Sequence, residues 1–90
     1  MRRTAYSSAF KKDYKRTMKR GVDMTKFDAV IELLINDKPL PQKYRPHMLS
    51  GEWKGFSECH IAPDWLLIYD LEDPEVLALH RTGTHSDLFE

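Results

Sequence analysis

The chain has 90 residues and a mass of 10.6 kDa, with equal counts of basic and acidic side chains and a single cysteine. This excludes a multidomain protein, an internal disulfide framework and any membrane-spanning apolar run; a single domain over residues 1–90 with a small core is expected. The balanced charge hides an asymmetry, because residues 1–26 carry a net +7 and residues 27–90 a net −7, so the basic half suits an anionic partner.

The first segment, 2–6, reads as a short edge strand. The N-terminus has basic residues with no apolar run behind them, so it does not read as a signal peptide. Together with the lone reduced cysteine, this points to the cytoplasm. Ser7 or Ser8 is a suitable N-cap for a helix in which Phe10, Tyr14 and Met18 recur every four residues. Lys11, Lys12, Lys15, Lys19 and Arg20 cover its other faces. Gly21 is a natural stop, since glycine takes the left-handed conformation freely.

Thr25 and Asp28 suggest a capping box for a second helix with Phe27, Val30, Ile31 and Leu34 on one face. The short link 21–24 makes the pair a helical hairpin. Three prolines, Pro39, Pro41 and Pro46, exclude a regular helix or central strand from 38–50.

Beyond Gly51 the periodicity changes. Segments 53–61, 65–71 and 76–81 read as strands separated by turns at Ala62-Pro63-Asp64 and 72–75. The run Leu66-Leu67-Ile68-Tyr69 suits a central strand. Residues 84–89 read as a terminal turn or short helix. The expected fold is α+β: an N-terminal strand and two-helix hairpin on one face of a mostly antiparallel four- to five-stranded sheet, the other face open to a ligand.

The chemistry-bearing residues gather in the strand region. Metal-free RNA cleavage needs a base for the 2′-hydroxyl, an acid for the 5′-oxygen and cations for the phosphorane. His47, His60 and His85 are suited to the proton transfers, and the strand pairing brings them toward one patch. His80 should point to the opposite face from Arg81. Asp64 and Glu58, the latter on the same strand face as His60, are candidates to support His60. Lys54 and Arg81 are candidate phosphate clamps. Trp65 and Phe89 are candidates for base stacking, whereas Trp53 and Tyr69 read as core. Zinc at His60, His85 and Asp64 is a lesser alternative, since no metal-ligand spacing motif is present.

Read in order, Pro46-His47-Met48-Leu49, Trp53-Lys54-Gly55-Phe56, Cys59-His60-Ile61-x-Pro63-Asp64-Trp65-Leu66-Leu67-Ile68-Tyr69, Arg81-Thr82-Gly83-Thr84-His85 and Leu88-Phe89 make the chain similar to a known family. It resembles the YafQ-type mRNA-interferase toxins of the RelE/ParE superfamily over nearly its whole length. The resemblance implies a RelE-like sheet backed by helices and a ribosome-dependent, cofactor-free endoribonuclease that cuts mRNA in the A site. It implies His47, His60, Asp64 and His85 as the active patch, with Trp65 and Phe89 beside them.

The resemblance also implies a cognate antitoxin with a ribbon-helix-helix or similar DNA-binding domain. The ribosome and mRNA are the other expected partners, with no role for a membrane. Lys11, Lys12, Lys15 and Lys19 are a candidate surface for rRNA or for an acidic antitoxin segment. Glu58 and Ser57 depart from the family's usual Asp and basic residue. A ParE-like gyrase-binding toxin, or a degenerate toxin that only binds its antitoxin, is the alternative reading.

Overall fold

A computed structural model describes residues 1–89. Its elements are β1 (Arg3–Tyr6), α1 (Ser8–Lys19), α2 (Met24–Ile35), β2 (His47–Met48), β3 (Ser57–Ala62), β4 (Trp65–Asp70), β5 (Val76–Gly83) and α3 (His85–Phe89). They form a five-stranded sheet in the order β1-β5-β4-β3-β2. Only β1 and β5 run parallel; the other pairs are antiparallel. The expected α+β class and sheet are therefore observed.

Ser7 caps α1 by accepting from the amide of Phe10, and Gly21, at φ 76°, follows its end. The buried stripe of α1 is rotated from the expected one: Phe10, Asp13 and Thr17 are buried, while Met18 is exposed. The reason is Asp13, which is drawn inward by Arg16, Arg81 and the amide of Thr82. The cap of α2 is Asp23, accepting from Thr25, rather than a Thr25–Asp28 box.

Phe27, Val30 and Leu34 of α2 join Phe10, Leu67, Tyr69, Leu77 and Leu79 in the main core, on one face of the sheet. The opposite face is not fully open. Leu49, Trp53 and Phe56 pack there on Leu66, Ile68 and Leu88 as a second, smaller cluster. Trp53 lies in a 3₁₀ turn, Gly51–Trp53, so the strand expected from 53 begins only at Ser57. Tyr69 is core, as expected.

The proline-rich stretch holds a 3₁₀ turn at Gln42–Tyr44, then the two-residue edge strand β2. Arg45 ends that turn in the left-handed region (φ 47°). At the far end of the sheet, Arg2 binds Asp37 and the carbonyls of Leu71, Asp73 and Val76, tying the N-terminus to two loops.

Candidate active site

The pairing of β2 with β3 sets His47 opposite Glu58. Side chains at alternate strand positions share a face, so Glu58 and His60 both point away from the helices. The β3–β4 hairpin and the β4–β5 pairing, with Leu66 opposite Gly83, carry the start of α3 to the same end of the sheet. Three imidazoles result in a row, with ring centroids 6.4 Å apart for His47–His60 and 6.0 Å for His60–His85.

Two carboxylates flank the row. Asp64 Oδ1 lies 3.0 Å from His85 Nδ1 and accepts the His85 amide at 3.1 Å. These hydrogen bonds, the amide first and then the ring, hold the Asp64 carboxyl below its ordinary value. A carboxylate only accepts, so Nδ1 of His85 carries a proton and its Nε2 is left to exchange one. Asp64 thus serves His85 rather than His60. The β3–β4 turn places it beside the end of β5, which adjacency in sequence does not reveal.

Glu58 is the carboxylate at His60. Its Oε1 is 3.2 Å from His47 Nε2 and 3.9 Å from His60 Nε2, and the residue is 5% exposed. Its Oε2 is buried with no hydrogen-bond partner among the described residues. The other nitrogen of His47, Nδ1, is 2.8 Å from the carbonyl of Arg45 and must donate to it. Nε2, the ring's remaining nitrogen, therefore faces Glu58, and the two form an ion pair whenever the imidazole is protonated. Sequence reading gave Glu58 only a supporting place; its burial beside two histidines was the missing signal.

Two other expectations are corrected. Arg81 is not free to clamp a phosphate. Its Nε and Nη2 lie 2.6 and 3.2 Å from the carboxylate oxygens of buried Asp13, which also hold its guanidinium in the charged form. It ties β5 to α1. Nor is Trp65 a stacking platform. It is 7% exposed, lies parallel to Phe27 with centroids 6.5 Å apart, and donates from Nε1 to Thr82 at 3.0 Å.

Phe89, by contrast, is exposed and stands 6.3 Å from the His85 ring. Lys54 is exposed and forms no ion pair among the described residues. His80 points away from the Arg81 side, bonding Asp70 at 2.6 Å and stacking edgewise on Phe56. Among the described residues no group of three or more His, Cys, Asp or Glu side chains is arranged to hold a metal ion, the His60–His85–Asp64 alternative included.

The His85 end is fixed by Asp87. The amide of Thr84 donates to Asp87 and the amide of Asp87 donates to Thr84 Oγ1, a reciprocal cap of the capping-box kind. Arg20, capping the end of α1, grips the same carboxylate at 2.6 and 3.1 Å, holding its carboxyl far below the ordinary range. Gly83, at φ 152°, lets Asp87 approach; a Cβ there would lie 2.7 Å from Asp87 Oδ2.

Comparison with known proteins bears on this site. Residues 2–90 match a family described as the bacterial toxin of a type II toxin–antitoxin system, YafQ. The mRNA interferase toxin YafQ of Escherichia coli strain K12 is 48% identical over 85 residues, covering 93% of this chain and 91% of that protein. The crystal structure of YafQ from Escherichia coli strain BL21(DE3) has a TM-score of 0.92 at 45% identity, with both chains fully covered. The YafQ chain of the Escherichia coli DinJ–YafQ toxin–antitoxin complex scores 0.89 at 47% identity, over 99% of this chain and 98% of that one.

Proposed function

The chain belongs to the YafQ family of type II toxins, and from that premise we propose that it is a toxin that arrests translation by cutting mRNA in the ribosomal A site. The observation that carries this reading is the row His47–His60–His85 between two carboxylates. Such a row supplies proton donors and acceptors on both sides of a single phosphate.

In this reading one imidazole removes the 2′-hydroxyl proton and the oxygen attacks phosphorus. A second imidazole, already protonated, gives its proton to the departing 5′-oxygen, leaving a 2′,3′-cyclic phosphate. His85, with Nδ1–H held by Asp64, exchanges the proton through Nε2. His60, central in the row, takes the complementary role. His47 stands beside it, its Nε2 facing the Glu58 carboxyl. Lys54 at the rim stabilises charge on the phosphorane, and Phe89 stacks a neighbouring base.

The partners follow from the same reading. They are the ribosome, its mRNA and a cytoplasmic antitoxin whose acidic segment covers the basic face. Lys11, Lys12, Lys15 and Lys19 of α1 are exposed and form no ion pairs among the described residues, which leaves them for rRNA or antitoxin contact. Arg16 and Arg20 are engaged by Asp13 and Asp87.

Primer extension on a defined mRNA, with and without programmed ribosomes, tests the reading. Cuts at fixed codon positions only with ribosomes are expected. No cuts, together with inhibition of gyrase supercoiling or undiminished growth on expression, would replace it with the gyrase-binding or antitoxin-only alternative.

A further inference from the structure

Beside the histidine row lies a cleft of about 610 Å³ between the start of α2, the 3₁₀ turn Gln42–Tyr44 and the end of β3. Its size is within the roughly 300–1,000 Å³ range of small-ligand sites, enough for a nucleotide unit. Lys26, Lys43 and Arg45 line it, and no Asp or Glu does. That one-signed lining is notable in a chain whose acidic and basic residues are equal in number. Among the described residues none of the three cations is in an ion pair.

Tyr44 gives the cleft an aromatic wall, with Lys43 Nζ 5.0 Å from its ring centroid. The cleft lies at the same sheet edge as the row. His60 is among its lining residues although its ring faces away from the helices, and Arg45 lines the cleft while its carbonyl fixes Nδ1 of His47.

We infer that this cleft is a subsite for the nucleotide next to the cleaved phosphate. Lys26, Lys43 and Arg45 bind the adjoining backbone phosphate, and the Tyr44 ring meets the base. The inference rests on the RNA-cleaving reading for its link to catalysis. The binding itself follows from three cations outside any ion pair among the described residues and an aromatic wall, the combination that holds single strands without sequence readout.

The test uses the whole protein and a single-stranded RNA of about six nucleotides, protected from cleavage by 2′-deoxy substitution, with affinity read by fluorescence anisotropy over a range of salt concentrations. Lys26→Gln/Lys43→Gln removes two exposed charges without touching the core. It should weaken binding about tenfold and make the salt slope shallower by about 0.7, the share of one single-strand phosphate. Arg3→Gln/Lys38→Gln makes the same change in net charge away from the cleft and should leave both values unmoved. On programmed ribosomes the cleft variant should raise KM with little change in kcat.

Equal affinity and slope in the cleft variant and the parent would overturn the inference, as would an equal loss in the Arg3/Lys38 control. A parent that cuts ribosome-bound mRNA while the cleft variant keeps its KM removes the subsite and leaves the cleavage reading intact. A parent that cuts nothing removes the cleavage reading; the anisotropy comparison, which needs no chemistry, still decides the cleft.

Discussion

Nε2 of His47 stands 3.2 Å from Oε1 of a buried Glu58 whose second oxygen has no partner among the described residues. A desolvated, half-satisfied carboxyl costs stability, typically about 1–3 kcal/mol, so its presence needs a compensating use. Glu58→Gln retains the volume and removes the acid. Cleavage on programmed ribosomes should fall by about 10²-fold, the lower range for one acid/base group. Thermal or urea unfolding should show stability unchanged or raised by about 1 kcal/mol. Parallel losses of both would make Glu58 a structural residue.

Asp64→Asn tests the other flank. The pair with His85 lies at the surface, both side chains more than half exposed, so stability should change by less than about 0.5 kcal/mol. The asparagine oxygen can still accept the His85 amide, keeping the start of α3. What is lost is the carboxylate that fixes Nδ1–H. Single-turnover cleavage should drop by about 10²–10⁴-fold, as for an orienting carboxylate behind a catalytic histidine. Wild-type rates in this variant would put the base or acid elsewhere.

Much of this arrangement was legible in the chain. Alternation and turns located β3, β4 and β5, and the chemistry of histidine singled out His47, His60 and His85. What escaped was register. Asp64 and His85 are 21 positions apart, and only the pairing of Leu66 with Gly83 brings them together. The Asp13–Arg81 bridge spans 68 positions, so nothing adjacent in sequence marks Asp13 as the partner of Arg81. Trp65 looked like a platform because aromatic rings stack bases in single-strand recognition. It begins β4 facing the helices, whereas Leu66 next to it faces the other way.

Arg81 and Trp65 should therefore respond as structural residues. Arg81→Ala leaves Asp13 buried with only Arg16, the Thr82 amide and its own helix as neighbours; about 3 kcal/mol should be lost, as when one partner of a buried pair is removed. Trp65→Phe keeps most of the ring packing and removes the bond to Thr82, costing about 1 kcal/mol. In both, cleavage measured well below the melting temperature should stay within a few-fold of the parent. A hundredfold loss in a folded Trp65→Phe protein would restore a direct role in the site.

The Asp87 anchor gives a pH signature. Its carboxyl, held down chiefly by the Arg20 hydrogen bond, has an ordinary value of 3.8. A carboxyl depressed in the native state stabilises the fold fully above its unfolded value, and that contribution fades as pH falls through the native value. Asp87→Asn should thus be less stable than the parent at about pH 6, and the gap should close toward about pH 2. Because the same carboxylate caps α3 against Thr84, His85 loses its fixed position as well, so cleavage should fall at neutral pH. Gly83→Ala should give the same activity loss by another route. Its Cβ would intrude on Asp87 at a backbone angle that side chains rarely adopt, costing about 1–3 kcal/mol. Melting curves of both variants across pH, set beside cleavage rates, check the chain of contacts from Arg20 through Asp87 to His85. A pH-independent gap in Asp87→Asn would break its first link.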